Sequence, residues 1–157
     1  MLDNVKNFYL EGFDETGMLY DEVAYKADVL DRDKRPFRAS LLWLVEQGEA
    51  ITQAQADRLD EIYDHRHELT HDLGDFILDP DREPDIDLFT DAVAILRDIT
   101  RFWVQYEIDI GTFAEHGTVS VDDVSPGPLI LLEMCIDAYA QGLSAAEDNE
   151  DQHADAE

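Results

Sequence analysis

The sequence predicts an all-α protein, an up-and-down bundle of four or five helices. Apolar residues recur at three-and-four spacing along most of the chain, helix start and stop signals separate the periodic stretches, and strand signals are nearly absent. A chain of 157 residues with this apolar content makes one domain with a real core. The expected organisation is a single helical domain over residues 1–143 and an acidic disordered tail over 144–157. There is no internal repeat and no glycine-rich phosphate loop.

From Leu2 to about Leu30, apolar side chains at Phe8, Tyr9, Phe13, Leu19, Tyr20, Val23, Ala27 and Leu30 follow helical intervals, and Gly12 and Gly17 make a break possible. The polar run Asp31-Arg32-Asp33-Lys34-Arg35-Pro36 ends that stretch. Phe37, Leu41, Leu44 and Val45 then mark a second helix, closed near Gly48. Thr52 and Gln55 form a capping box, each side chain satisfying a free amide of the first turn. The helix they open carries Leu59, Ile62, Tyr63, Leu69, Leu73, Phe76 and Ile77, and Asp79-Pro80-Asp81 stops it.

The next helix, from about Ile86 to Phe113, repeats in sevens. One row is Phe89, Leu96, Trp103 and Ile110; a second is Ala92, Ile99, Tyr106 and Phe113; a third is Leu88, Ile95 and Phe102. That stripe is wider than a two-helix seam, so it predicts burial against several neighbours or a partner subunit, with a homodimer as the simplest form. Residues from Gly117 to Asp123 read as loop, with a short strand as the alternative. Ser125 as cap and Pro126 at the first position open a last helix that runs to about Leu143.

No apolar run reaches the roughly 18 residues that span a bilayer, and the N-terminus lacks a signal-peptide profile. The lone Cys135 forms no intramolecular disulfide, and its apolar neighbours predict burial. A cytoplasmic protein without membrane contact is expected. The formal charge is −27, with Asp outnumbering Glu and Arg outnumbering Lys. Such a surface repels nucleic acid and anionic membranes, although a Debye length of roughly 8 Å at physiological salt keeps the repulsion local. Acidic, lysine-poor surfaces also suit proteins that work in concentrated salt, and this explanation competes with a binding role.

Residues Arg66-His67-Glu68-Leu69-Thr70-His71 carry the functional content. Leu59, Arg66 and Leu73 are seven apart, so Arg66 falls where the apolar pattern calls for leucine, and a buried guanidinium there would need a carboxylate, a carbonyl or a ligand. At about 100° per residue, His71 lies roughly 140° around the helix from Arg66. One chain's pair therefore converges only if the helix is irregular near Gly74, or if two copies pool their residues.

An arginine and a histidine at this spacing resemble the R-x4–6-H signature of the HEPN superfamily, small all-helical proteins found in many bacterial toxin and phage-defence systems. The polar residue after the arginine, here His67, and the placement of the motif in a helix past the middle of a bundle are similar too. The resemblance covers roughly residues 2–143, and its specific content is two residues. It implies a homodimer with two motifs in one cleft, cutting RNA without metal or other cofactor, and a partner such as an antitoxin. His71 would take the proton from a ribose 2′-hydroxyl, and Arg66 would stabilise the charge that develops on the phosphorus, with His67 and Glu68 in support. Many members of the superfamily are non-catalytic. A helical interaction module whose acidic surface binds a basic protein partner is thus the second expectation.

The same residues also spell His67-Glu68-Leu69-Thr70-His71, the helix pattern of zinc hydrolases, with two imidazoles on one face and Glu68 to activate a metal-bound water. Longer versions place a third ligand where this chain has Ile77, so the ligand would have to come from Glu83, Asp85, Glu107 or His116. In the plain alternative, His65, His67 and His71 are solvated histidines on a charged face. Arg32, Lys34, Arg35 and Arg38 are the only local basic concentration, either a hold for RNA phosphates or a solvated turn whose charge Asp31 and Asp33 reduce.

Overall fold

The computed structural model describes residues 2–15, 17–78 and 85–154, and over these the chain is mostly helical. In order come α1 (Leu2–Asn7), β1 (Leu10–Asp14), β2 (Gly17–Tyr20), α2 (Glu22–Asp28), a 3-10 turn (Leu30–Arg32), α3 (Pro36–Glu46), α4 (Gln53–His71), α5 (Leu73–Leu78) and α6 (Ile86–Asp109). Two further 3-10 turns (Ala114–His116 and Val121–Asp123) lead into α7 (Gly127–Ala154). The stop signal Asp79-Pro80-Asp81 lies outside the described residues. No described helix is long and apolar enough to cross a membrane.

The first thirty residues depart from the expected helix. An antiparallel hairpin of β1 and β2 interrupts it, with Phe13 opposite Met18 and a bulge between Leu10 and Gly12. Gly17 makes the turn possible at φ 131°, and its amide donates to Asp14 Oδ1 at 3.1 Å. The apolar residues that matched a helical period instead sit on a short strand pair whose side chains, Phe13 and Leu19 included, are largely exposed.

The start of α4 is as read. The Thr52–Gln55 capping box is present in both directions at the head of α4. Asp85 caps α6 by accepting from the Leu88 amide at 3.1 Å. Helix α7 begins at Gly127, with the Pro126 carbonyl accepting from Leu129 and Ile130, so the proline stands just before the helix rather than in its first turn. Its backbone stays helical to Ala154, through eleven of the residues expected to be disordered; alanines and helix-favouring Glu and Gln recur there. Cys135, expected to be buried, is exposed, because α7 packs on one side only.

Cross-helix pairs fix the arrangement. Arg38 with Asp57 and Arg35 with Asp60 set α3 antiparallel to α4; Gln55 with Asp98 and Arg58 with Asp91 set α4 antiparallel to α6; Arg97 with Glu133 joins α6 to α7. The core lies between α1, α2, α3, the first half of α4 and the middle of α6, where Val5, Val29, Leu41, Trp43, Leu44, Ile95 and Ile99 are buried. Trp43 Nε1 donates to the Tyr9 hydroxyl at 3.0 Å, which in turn donates to Asp28 at 3.4 Å, and burial pushes the Tyr9 phenol above its ordinary range. Gly48 ends α3 for a packing reason: a side chain there would meet the Leu44 carbonyl and the Phe102 ring, both at 3.3 Å. The left-handed position is the next residue, Glu49, at φ 48°.

The wide stripe on α6 is used on two sides. Leu88, Ile95 and Ile99 are buried on the core-facing side; Val93 lies in a groove bordered by α7, and Val104 in one bordered by α7 and the turn before it. Phe89 and Ile110, at its two ends, remain 44 % and 58 % exposed. From Tyr63 onward α4 also leaves the core, and Leu73 and Leu78 of α5 are 55 % and 83 % exposed.

Leu44→Ala should lower the unfolding free energy by about 2–5 kcal/mol, and Thr52→Ala by about 1 kcal/mol, in urea titrations followed by circular dichroism. Hydrogen bonds from Arg38, then Gln53, hold the Asp57 carboxyl below the ordinary carboxylate range. A folded pKa below the unfolded one stabilises at neutral pH, and that contribution is lost as pH falls through the folded value. Asp57→Asn should therefore flatten the loss of stability between about pH 5 and pH 2.

Candidate functional site

All six residues of the motif lie in α4, which ends at His71; the chain breaks at Asp72 and resumes as α5. The irregularity thus falls after His71 and does nothing to bring it toward Arg66. On a regular helix the two remain roughly 140° apart.

Arg66 is not in the apolar seam. It is exposed, and the inner row of α4 runs Leu59, Ile62, His65, Leu69. Between Ile62 and Leu69 a helix can place residue 65 or residue 66 inward, because the spacing alternates between three and four. Here His65 takes that position, with its side chain 18 % exposed. Its Nε2 accepts from the Asp85 backbone amide at 3.2 Å, so the histidine ties α4 to the first turn of α6. An acceptor Nε2 leaves the proton on Nδ1, which sits 3.8 Å from Glu68. His65 is the functional-looking residue that the sequence undervalued. The signal was its three-residue step from Ile62 and four-residue step to Leu69.

The exposed face keeps the other four candidate side chains. Arg66, His67 and His71 are open to solvent, and Glu68 is 45 % exposed. The His67 and His71 rings stand 4.2 Å apart between centroids, nearly edge to face. Thr70 Oγ1 donates back to the Arg66 carbonyl at 2.8 Å.

The surroundings of Arg66 differ from those of every other described arginine. Arg32, Arg35, Arg38, Arg58, Arg97 and Arg101 each hold a carboxylate, whereas Arg66 has no ion-pair partner among the described residues. Its helix neighbours explain this: three and four residues away stand Ile62, Tyr63, Leu69 and Thr70, none of them acidic. Asp64 and Glu68, two residues away, lie about 200° around the helix. The result is an uncommitted guanidinium on a partly apolar face with Tyr63, 44 % exposed, and Leu73.

The basic cluster is consumed by the fold. Arg32 pairs with Glu46 and donates to the Asp28 carbonyl, Arg35 bridges Asp33 and Asp60, and Arg38, only 13 % exposed, bridges Asp57 and Asp60. Of the four cations only Lys34 has no such partner among the described residues. The cluster is therefore not a free surface for phosphates.

Of the third zinc ligands considered, Glu83 lies outside the described residues. The Asp85 carboxylate caps α6, Glu107 accepts from Thr112 at 2.5 Å, and His116 is in the turn beyond α6. Among the described residues no three His, Cys, Asp or Glu side chains come together as a metal site.

No family model, curated protein or solved structure matches this chain.

Zinc added to the purified protein should bind weakly and without fixed stoichiometry, and a chelator should leave the fold unchanged. One tightly held zinc per chain by elemental analysis, lost in His67→Ala, would promote the hydrolase reading. His65→Ala should cost about 1 kcal/mol through the lost link to Asp85, read as a lower urea midpoint.

Proposed function

We propose that the protein is a metal-independent endoribonuclease of HEPN type, working as a homodimer in a toxin or phage-defence setting. The observation that carries this reading is the state of Arg66. In a chain with 38 acids and 11 bases, it stands exposed, without an acidic partner among the described residues and without an acid at the helix positions that face it. An arginine left in that condition is suited to an anion from outside the chain, and a phosphodiester accepts its planar fork in bidentate fashion.

The angular separation of Arg66 and His71 supports a site shared by two copies. Within one α4 they do not face a common phosphate. Across a two-fold axis, Arg66 of one copy can oppose His71 of the other. Exposed Tyr63, Leu73, Leu78 and Phe89 at the same end of the molecule supply apolar surface for such an interface. In the shared cleft His71 would take the 2′-hydroxyl proton, Arg66 would hold the phosphoryl oxygens, and the adjacent His67 ring would orient His71.

A non-catalytic dimerisation module uses the same exposed residues and differs in one respect, the absence of cleavage. Arg66 is exposed, so replacing it changes stability little under either reading, and cleavage is the property that separates them.

Light scattering at tens of micromolar protein should give a dimer, and Tyr63→Asp should convert it to a monomer. RNA should be cut to products ending in 2′,3′-cyclic phosphate, while DNA resists. Arg66→Ala and His71→Ala should each lower cleavage by about two orders of magnitude, and Arg66→Lys should not restore it. Mixing the two inactive variants should recover about a quarter of wild-type activity, because half of randomly exchanged dimers then carry one intact site of two. An inactive wild-type dimer would leave the interaction module as the better reading.

A further inference from the structure

The opposite end of α6 carries a second feature, about 30 Å from the motif along the helix axis. Here α6 meets α1 and the hairpin, and they enclose a groove of about 430 Å³ lined in part by Asn7, Phe8, Met18, Trp103, Tyr106 and Glu107. Three of its walls are aromatic. The Trp103 and Tyr106 rings stand 6.0 Å apart at 87°, forming a corner, and Phe8 lies 5.5 Å from Tyr106. Phe8 and Met18 are 41 % and 57 % exposed, and Trp103 and Tyr106 are half-buried, with Trp103 packed against the core on its other side.

The charge of the groove is one-sided. Glu107 is its single ionisable carboxylate, positioned by a hydrogen bond from Thr112 Oγ1, and neither lysine nor arginine is among the lining residues. This contrasts with the groove between α6 and α7, where Arg97 and Arg101 stand beside Glu133 and Asp122 and pair with them. Aromatic faces are electron-rich, a carboxylate is anionic, and the chain as a whole carries −27, so all three attract a cation and repel an anion. The apolar walls disfavour a strongly hydrated metal ion. A cation covered with methyl or methylene groups satisfies both the rings and the acid.

We propose that this groove binds a small organic cation of the quaternary or alkylated ammonium class, with its charged centre against Trp103 and Tyr106 and its polar end toward Glu107 and Asn7. The site is independent of Arg66 and His71, and its occupant does not depend on whether the protein cuts RNA.

Choline is the probe, and its uncharged isostere 3,3-dimethyl-1-butanol is the control, both at constant ionic strength set with sodium chloride. Trp103 lines the groove and is stacked on Trp43 at 6.1 Å, so tryptophan fluorescence of the full-length protein reports occupancy. Choline should change the emission saturably, and the isostere should bind at least about tenfold more weakly. Glu107→Gln and Tyr106→Leu should each weaken choline binding by about fivefold or more, the scale of one cation–π or charge contact, while Arg66→Ala leaves it unchanged. Glu107 is exposed, so its variant keeps the test valid even where Tyr106→Leu fails to fold. Three results would overturn the proposal: no saturation up to about 50 mM choline, far weaker than sites of this class require; equal binding of the isostere, which marks a merely apolar groove; or undiminished binding in folded Glu107→Gln, which marks diffuse attraction to the acidic surface.

Discussion

Positive charge is the scarce element in this molecule, and its placement governs which surfaces can meet. Eleven bases face 38 acids, and the described arginines are spent mainly where two elements touch. Arg32 joins the 3-10 turn to α3, Arg35 and Arg38 join α3 to α4, Arg58 joins α4 to α6, Arg97 joins α6 to α7, and Arg101 joins α6 to the turn before α7. Each exposed pair contributes only about 0–1 kcal/mol, so the arginines do not hold the fold up. Burial of Trp43, Leu41, Leu44 and their neighbours does that. What the pairs accomplish is neutralisation: without a cation at each seam, acidic helix flanks would be pressed together in partly desolvated surroundings.

That distribution makes the exception informative. An arginine that joins no seam, in a chain where the other described arginines join one, is either surplus or reserved for something outside the chain. The local field favours the second. Net charge acts at long range and is screened within about 8 Å at physiological salt, whereas the charges within that radius decide what an incoming anion meets. The face around Arg66 consists of Ile62, Tyr63, Leu69, Thr70 and Leu73, and its nearest acids in sequence point away. A −27 protein can therefore still offer one locally cationic face.

The sequence carried most of the helical frame and less of the site. The capping box at Thr52 and the long α6 were readable because each depends on local chemistry: a side chain reaching an amide and a sustained heptad row. The β1–β2 hairpin was not, since Phe8, Phe13 and Leu19 fit a helical period by coincidence and only the turn at Gly17 distinguishes the two. At the motif the error was a single step of phase. Periodicity allowed residue 65 or 66 to face inward, and packing against the start of α6, where Asp85 donates to His65, decides between them. A pairing between residues twenty apart leaves no mark on local spacing.

The two ends of α6 thus differ in electrostatic character while sharing one rigid element. Near its start, an arginine with no acidic partner among the described residues and two exposed histidines stand on α4 among exposed apolar side chains. Near its end, aromatic walls and a lone carboxylate form a groove without a cation. Helix α6 is buried along its middle by Ile95 and Ile99 and flanked by ion pairs at Arg58 and Arg97, so neither end can shift without disturbing packed side chains between them. Each end can therefore keep its own geometry with or without a ligand at the other. An anion at the first and a cation at the second would each be held by fixed charge, with the acidic surface between them repelling the one and attracting the other.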